Sequence, residues 1–349
     1  MWSMWNFRKT VIEEFSKTHE VSVIAPYDGY QEKFTGNTQT FDWGLNGKSL
    51  NILREIRSVI QLGNCIKSQQ RQILICYGIK PILYASLLRI IHRPNDIYIL
   101  MFAGLGEAFS QKSIVNIIIK VGLKLAVQNS TVVVLNPSDL KKIRSLKFRR
   151  CNLVHLDGEG LDVVENINFI NLEKTFDFIY VGRLIEEKGI QDFLGAIIML
   201  KGLGFNIKAR VLGDFYHPNL LFRNRIEALV LEAGVEFLGF KPNPMEYIGS
   251  TKFLVLPSKY GEGLPRTIIE ALSIGVVPIV YPNPGTDHVV INDFNGLVSD
   301  PNERSLAETM SKAHNISKNQ LSRLSSRCIK TSERFNIKAI VEQYREFVK

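Results

Sequence analysis

The chain has 349 residues, of which 45% are hydrophobic and 22% are charged. This length exceeds one ordinary α/β core, so we expect two domains with the composition of a soluble globular protein. No apolar run approaches the roughly 18 residues of a transmembrane helix, which excludes that class. The four cysteines lack the spacing of a metal site or a secretory disulfide framework, so we expect a reducing, cytoplasmic setting.

The net charge of +9 is unevenly distributed. Residues 1–170 carry 21 Lys and Arg against 14 Asp and Glu, whereas the remainder carries 22 against 20. Much of the excess lies in residues 111–150, where nine basic side chains accompany only Asp139. This distribution predicts an anionic partner for the first half: a membrane surface, a phosphate-bearing substrate or a nucleic acid. Only the positive charge supports nucleic-acid binding. We therefore expect no nucleic-acid partner.

The first half begins with a helix pattern, followed by a strand at 21–25 that ends at Pro26. A doubly wound domain normally opens with a central strand, and no strand pattern precedes this helix. Either the true start lies upstream of Met1 or the first domain is built with a gap; we favour a truncated start. Further strands are expected near Phe41 and at 73–77, 97–102, 132–135 and 151–155, with helices at 50–70, 81–91 and 113–128.

The helix at 113–128 and the segment after it combine apolar and basic residues. Lys112, Lys120 and Lys124 lie on a narrow polar stripe, while aliphatic side chains cover the other faces. Such a helix is either buried in its domain or lies on a bilayer with its lysines at the headgroups. The basic segment at 141–150 is either a solvated face or adds about 1 kcal/mol per basic residue to binding of anionic lipid.

The second half predicts a parallel sheet whose strands alternate with helices. We assign residues 1–160 to a first domain, 161–330 to a second, and 331–349 to a helix that packs back towards the first. Strands are expected at 178–181, 209–212, 235–237, 253–256 and 276–280, and helices at 191–203, 222–233, 244–248 and 267–273, with two more across 303–347.

A strand, glycine-rich turn, helix and strand occupy residues 253–280. Pro265 is expected at the first helical position. Glu262 lies in the turn and Glu270 in the helix, with seven residues between them. Turns of this kind follow the carboxyl end of a strand, where open α/β sheets bind ligands. From spacing alone, two solvated surface acids fit the pattern as well as a pair that binds sugar hydroxyls.

Several motifs together make the chain resemble glycosyltransferase family 4. They are VGRL at 181–184, KGI at 188–190 and EGLPRTIIEA at 262–271. The family's hallmark is a pair of glutamates separated by seven residues. The resemblance implies an enzyme that retains anomeric configuration and has the GT-B fold. This α/β fold consists of two Rossmann-like doubly wound domains facing a cleft. Here the first domain is expected to lack its first strand. WNFRK, APYDGY, GLGEAF and LNPSDL in the first half are similar to segments of bacterial enzymes that extend polyprenyl-diphosphate-linked sugars.

The resemblance implies a donor site in the second domain. Arg183 and Lys188 would bind the donor diphosphate and stabilise charge on the leaving group. Glu262 would bind hydroxyls of the transferred sugar, and Glu270 those of the ribose. The other donor-binding candidates are Gly182, the amides of Gly263 and Leu264, and Phe240, which would line the base pocket or pack in the core.

Four residues of the first half are the acceptor-side candidates: Asn6 and Arg8 of WNFRK, and Gly104 and Gly106 of GLGEAF. A retaining enzyme of this kind needs no protein nucleophile, because the leaving phosphate assists the acceptor hydroxyl. We therefore expect no metal and no cofactor beyond the nucleotide-sugar substrate.

The resemblance implies transfer of a hexose or N-acetylhexosamine from a nucleotide sugar, most often UDP-linked, to a lipid-linked saccharide. Such a step would serve capsule, lipopolysaccharide or glycan biosynthesis at the inner face of the cytoplasmic membrane. Two alternatives remain open: a truncated, catalytically weak nucleotide-sugar-binding protein, and a nucleotide-sugar epimerase of the same fold.

Overall fold

The structure is a computed structural model of the chain. It describes residues 1–46, 51–66, 72–92, 96–102, 122–124, 126–145, 150–161, 167–170, 172–215, 219–259, 261 and 263–348. The chain divides into two compact units. Unit 1 comprises residues 1–160 and 337–349, and unit 2 comprises residues 161–336. Each unit is α/β, as predicted, and each is considered by itself below.

Unit 1 contains parallel strands that form two separate sheets. One sheet pairs β1 with β2, and the other has the order β3-β4-β5-β6. Among the described strands, β1 and β3 therefore each keep one unpaired edge, and α1 begins at Trp2 with no described strand before it. The elements are α1 (Trp2–Ser16), β1 (Val21–Ala25), β2 (Thr38–Asp42), α2 (Ile52–Cys65), β3 (Ile73–Tyr77), α3 (Ile79–His92), β4 (Ile97–Phe102), β5 (Thr131–Val134), α4 (Pro137–Ser145) and β6 (Asn152–His155).

The core of unit 1 lies between β4, β5 and the helices that cover them. Five consecutive residues of β4, from Tyr98 to Phe102, are buried, as are Val132 to Val134 of β5. Such continuous apolar runs are typical of parallel strands covered on both faces. Residues of β1 and β3 are mostly only half-buried, because each strand lies at a sheet edge. Of the helix predicted at 113–128, residues 122–124 and 126–128 lie within the described residues; 122–124 and 126 are helical, and 127–128 lie in a turn.

Unit 2 is built on one parallel sheet of six strands with the order β12-β11-β10-β7-β8-β9. Counted from β7 as the first strand, this is the Rossmann order 3-2-1-4-5-6 read in reverse. The elements are β7 (Phe176–Val181), α5 (Ile190–Gly202), β8 (Ala209–Leu212), α6 (Leu220–Ala233), β9 (Glu236–Phe237), α7 (Met245–Gly249), β10 (Thr251–Leu256), α8 (Arg266–Ser273), β11 (Val277–Val280), β12 (Leu297–Val298), α9 (Glu303–His314) and α10 (Lys318–Ser332).

The structure corrects two predictions about helices in the second half of the chain. Three helices, not two, follow residue 302: α9, α10 and α11 (Ile337–Val348). Ser317 starts α10 with a capping box in which its side chain and that of Gln320 satisfy each other's backbone amides, so α9 and α10 are separate helices. Pro265 is the N-cap of α8, with extended backbone, and not its first helical residue.

Helix α11 belongs to unit 1. Its buried Tyr344 lies with its hydroxyl 3.1 Å from that of Tyr77 on β3, and its ring packs edge-on against Phe15 of α1. Among the described residues, no helix combines the length and apolarity needed to cross a bilayer.

Candidate functional site

The predicted donor residues lie on two loops that follow adjacent strands of unit 2. Strand β7 pairs in parallel with β10, with Phe178 opposite Phe253 and Ile179 opposite Leu254. Residues 182–189 follow β7, and residues 257–265 follow β10, so both loops leave the same carboxyl edge of the sheet. The first loop carries Gly182, Arg183 and Lys188, and the second carries Gly263 and Leu264.

Backbone contacts hold these two loops together. The carbonyl of Glu187 accepts a hydrogen bond from the Lys259 amide at 2.9 Å and a longer one from the Ser258 hydroxyl at 3.4 Å. Gly189 has φ +72°, and a Cβ at this position would lie 2.0 Å from the carbonyl oxygen of Pro257. Only glycine allows this approach. The sequence motif KGI is therefore partly a packing requirement of the two loops.

The edge continues to the loops after β8 and β9. The Gly182 amide donates to the carbonyl of Leu212, and the Leu184 amide donates to that of Asp214. Gly213 packs against Gly182 so closely that a Cβ would lie 1.8 Å from the Gly182 carbonyl oxygen.

Phe240 follows this glycine contact along the sheet edge. The Gly213 amide donates to the carbonyl of Gly239, the residue before Phe240. The side chain of Phe240 is 54% exposed. The alternative that it packs in the core is wrong, because more than half of this residue is exposed. Its role in a base pocket stays a prediction.

Arg183 and Lys188 bring two cations to the β7 loop. Arg183 is exposed, and its carbonyl accepts a hydrogen bond from the buried Tyr180 at 3.0 Å, which fixes the backbone at this residue. Lys188 is half-buried and closes a short 3-10 turn at Glu186–Lys188. The left-handed Gly189 ends that turn and is the N-cap of α5. Two cations beside helix-start amides suit a phosphate-bearing ligand.

Helix α8 places Glu270 inside the unit. The carboxylate is buried and accepts a hydrogen bond from Arg266 Nε at 2.8 Å, one helical turn earlier. Burial raises the pKa of Glu270, and the Arg266 guanidinium opposes that rise. Gly263 is buried and Leu264 half-buried just before the N-cap of this helix. Sequence reasoning expected Glu270 to bind ribose; its pairing with Arg266 was not foreseen.

A polar cluster that sequence reasoning missed ties the β10 loop to α5 and β11. Asp192 lies in the first turn of α5, and its Oδ2 is 2.8 Å from Lys259 Nζ. The same oxygen accepts a hydrogen bond from the Tyr281 hydroxyl at 2.8 Å. Burial and the Asp192 carboxylate raise the pKa of Tyr281. These residues lie 67 and 89 positions from Asp192, so no local pattern joins them.

A second missed cluster follows β11. Asn283 is buried, and its side chain donates to the Ser258 carbonyl at 3.2 Å. Its Oδ1 accepts from the amides of Gly285 and Thr286, both at 3.1 Å. This is an Asx-type turn. The turn at residues 282–287 therefore holds the start of the β10 loop.

The remaining predicted residues lie elsewhere. In unit 1, Asn6 donates from its side chain to the carbonyl of Trp2 at 2.8 Å. Arg8 is 8% exposed, forms an ion pair with Glu159 and stacks over the ring of Tyr77 at 4.0 Å. Its contact with an acceptor stays a prediction. Glu262, Gly104 and Gly106 lie outside the described residues.

An α/β chain of two units with parallel, Rossmann-like sheets and a polar site at the carboxyl edge defines the GT-B class. Residues 164–334 match the family model described as glycosyl transferases group 1. The matched range covers almost all of unit 2, so unit 2 is similar to the glycosyl transferases of group 1. A solved structure of the Anabaena protein Alr3699/HepE in complex with UDP and glucose superposes with a TM-score of 0.75 at 16% identity, covering 97% of this chain and 94% of that one. The predicted fold is confirmed.

Two similar proteins are named as sugar-transferring enzymes. The capsular polysaccharide biosynthesis glycosyltransferase CapM of Staphylococcus aureus is 24% identical over 187 residues, covering 53% of this chain and 49% of CapM. The N,N'-diacetylbacillosaminyl-diphospho-undecaprenol alpha-1,3-N-acetylgalactosaminyltransferase of Campylobacter jejuni is 21% identical over 337 residues, covering 88% of this chain and 86% of the relative. The match thus spans about half the length of the first relative and most of the second.

Proposed function

We propose that this chain is a retaining glycosyltransferase of family 4 that moves a hexose or N-acetylhexosamine from a UDP-sugar to a lipid-linked saccharide. One observation carries the proposal: the loops after β7 and β10 leave adjacent parallel strands and are bonded to each other. This arrangement puts Arg183 and Lys188 on the loop next to the one that leads into α8. Cations and helix-start amides at one sheet edge form a site for a diphosphate.

The donor half of the proposal has two supports. The chemistry of Arg183 and Lys188 suits the two phosphates of a nucleotide sugar, with the arginine as a planar fork and the lysine as a point charge. In addition, the Anabaena protein of the same fold was solved in complex with UDP and glucose. Phe240, exposed at the same sheet edge, would stack on the base, and Glu270 would bind the ribose.

In the proposed reaction, the acceptor hydroxyl attacks the anomeric carbon as the bond from that carbon to the diphosphate oxygen breaks. The leaving phosphate takes the proton of the hydroxyl on the same face, so configuration is retained. Arg183 and Lys188 would stabilise the negative charge that grows on this phosphate, which is where electrostatic catalysis acts. Glu262 would hold the transferred sugar by its hydroxyls and would not act as a nucleophile.

The acceptor half rests on the Campylobacter jejuni relative, whose name specifies a diphospho-undecaprenol acceptor. We infer that the present acceptor is also a saccharide on a lipid diphosphate. Unit 1 would bind it, and Asn6, Arg8, Gly104 and Gly106 are the candidate contacts. A lipid-linked acceptor requires the enzyme to work at a membrane surface, on the cytoplasmic side where nucleotide sugars are found.

The proposal is tested by mixing the protein with a panel of nucleotide sugars and following its melting temperature. A donor at 100 times its Kd stabilises the folded state by about 2.7 kcal/mol, so the correct nucleotide sugar raises the melting temperature measurably. The best donor is then incubated with polyprenyl-diphosphate-linked saccharides. Transfer with retained configuration supports the proposal. Donor binding without transfer would favour the weak binding protein, and conversion of the donor sugar without an acceptor would identify an epimerase.

A further inference from the structure

Helix α2 of unit 1 displays an aliphatic stripe to solvent. Ile52, Leu53, Ile56 and Ile60, which we call the α2 stripe, are 52–78% exposed. With 100° of rotation per residue, these four side chains fall within one arc of about 100° on the helix surface. Isolated exposed leucines are ordinary, but four large aliphatic side chains on one helical face form a contiguous apolar patch.

Contacts with the rest of unit 1 fix the opposite face of α2. Because these contacts set the orientation of the helix, the stripe faces solvent. The Trp43 indole donates to the carbonyl of Ser58 at 2.9 Å. Leu62 is buried in a cluster with Trp43 and Leu88. Near the amino end of the helix, Lys80 Nζ lies 3.0 Å from the carboxylate of Glu55. These contacts commit one face to the unit and leave the apolar stripe without cover among the described residues.

Two basic residues accompany the α2 stripe. Arg54 and Arg57 are both exposed; the helical repeat places Arg57 on the flank next to Leu53 and Arg54 further round the helix on the same side. The only acidic residue of the helix is Glu55, and it is already paired with Lys80. Unit 1 as a whole carries 24 Lys and Arg against 14 Asp and Glu, a net charge of +10, whereas unit 2 carries 19 against 20, a net charge of −1.

We propose that the α2 stripe docks unit 1 onto an anionic lipid surface. The four aliphatic side chains insert at the boundary between headgroups and acyl chains, and the two arginines contact lipid phosphates. This inference rests on the proposed function, because an acceptor anchored in a bilayer requires the enzyme to reach that bilayer. It differs from the helix at 113–128, which the sequence alone offered as a membrane contact.

A second copy of the chain is a poorer occupant for the same surface. A two-fold contact along α2 would bring Arg54 and Arg57 of both copies close to one another, and the helix offers no free acid to compensate them. The stripe also lacks the tyrosine, tryptophan and methionine residues that are enriched at protein interfaces. Binding to a bilayer requires neither a compensating acid nor these residue types, because apolar insertion and attraction to lipid phosphates are sufficient for interfacial binding.

The test is vesicle flotation with the full chain. Vesicles of phosphatidylethanolamine containing about 30% phosphatidylglycerol are compared with phosphatidylcholine alone, at low and high salt. The apolar variant is Ile56→Gln with Ile60→Gln, and the charge variant is Arg54→Gln with Arg57→Gln. The matched control is Leu221→Gln with Leu231→Gln on α6 of unit 2, where both leucines are 82–83% exposed.

We expect the wild type and the control to float with anionic vesicles. The apolar variant should lose at least about tenfold in partition coefficient, and the charge variant should lose its salt dependence. Flotation of the apolar variant equal to the wild type overturns the proposal. A second outcome also overturns the proposal: the wild type forms a dimer without lipid, measured by sedimentation equilibrium, and the apolar variant abolishes that dimer but still floats.

Donor binding separates this test from that of the proposed function. The melting-temperature rise with the donor should be equal in wild type, variants and control, because all these substitutions lie outside the β7 and β10 loops. Loss of flotation with intact donor binding supports the membrane surface. Flotation without any donor response would leave the α2 stripe supported while contradicting the glycosyltransferase.

Discussion

Asp192 and Lys259 join two elements that are 67 residues apart in the chain: Oδ2 of the aspartate at the start of α5 lies 2.8 Å from Nζ of the lysine in the β10 loop. The same carboxylate holds the hydroxyl of Tyr281 at the end of β11. Because Lys259 lies four residues before Gly263, this contact sets the path of the loop that leads into α8. We regard Asp192 as a positioning residue for the donor site.

Replacing Asp192 by Asn should raise the donor KM about fivefold while changing kcat less. The asparagine can still accept a hydrogen bond from the Tyr281 hydroxyl, but it lacks the negative charge that holds Lys259. Losing that interaction costs about 1 kcal/mol, the net value of one hydrogen bond. Steady-state kinetics with saturating acceptor measure the change. Glu227→Gln is the control, since it removes an exposed ion pair with Arg223 on α6 and should leave KM unchanged. A fall in kcat alone would contradict the positioning role.

Gly189→Ala should destabilise unit 2 by about 3 kcal/mol. The new Cβ would lie 2.0 Å from the Pro257 carbonyl oxygen, in a backbone conformation with φ +72° that already disfavours alanine. Gly204→Ala is the matched control: it has φ +88° but nothing within 4 Å of its Cβ, so it should cost only about 1 kcal/mol. Urea denaturation of both variants measures the difference. Equal costs would show that the two loops are not packed as described.

Lys188→Ala and Arg183→Ala should each lower transfer by at least about tenfold and reduce the donor-induced rise in melting temperature. The reason is the loss of a cation where charge grows on the leaving phosphate. Glu262→Ala should lower transfer to a similar extent through lost sugar binding. Lys318→Ala, an exposed lysine of α10, is the control and should behave as wild type. Full turnover by the Lys188 variant would remove the basis of the donor assignment.

Glu270→Gln should change how stability depends on pH. Burial raises the pKa of Glu270 above its ordinary value of 4.5, so the folded state binds this proton more tightly than the unfolded state. The wild type therefore loses stability as the pH rises through that window, and the glutamine variant does not. Relative to wild type, the variant should gain about 1.4 kcal/mol for each pKa unit of the shift. Melting temperatures from about pH 4 to about pH 8 measure this; a difference that is constant with pH would contradict it.

Arg8→Met should destabilise unit 1 by about 3 kcal/mol or more, because it leaves the Glu159 carboxylate largely buried without its partner. Glu159→Gln should also destabilise, through the uncompensated Arg8. The double variant should lose clearly less than the sum of the two single losses, since it removes both charges. Denaturation midpoints of the four proteins complete the cycle. Additive losses would indicate that the ion pair does not couple these residues.

Local sequence patterns predicted many of the elements. The strands at 73–77, 97–102 and 209–212 were predicted with the bounds that the structure shows. Continuous apolar runs bounded by turn residues give a strong local signal when strands are buried on both faces. The same patterns located the loops at the ends of β7 and β10, because a strand's carboxyl end can be read along the chain. Helix bounds were less accurate, since caps such as Ser317 decide them.

The resemblance of short motifs supplied the candidate residues, but it did not say how they meet. Glu270 was expected as a ribose ligand, and its pairing with Arg266 became visible only in α8. Asp192 was not singled out, because its partners Lys259 and Tyr281 are distant in the chain. Gly213 was not singled out either, and only its contact with the Gly182 carbonyl explains why no side chain fits there.

The sequence by itself determined the α/β class, most strands and the positions of the loops, because these depend on the apolar pattern of neighbouring residues. Only the tertiary structure decided that β7 lies beside β10, that Arg8 is buried, that Phe240 is exposed and that α2 turns an aliphatic face to solvent. Whether a residue is buried depends on which distant segments of the chain pack over it. The same isoleucine is core or surface according to the strand or helix that packs on it, and the local pattern does not encode that neighbour.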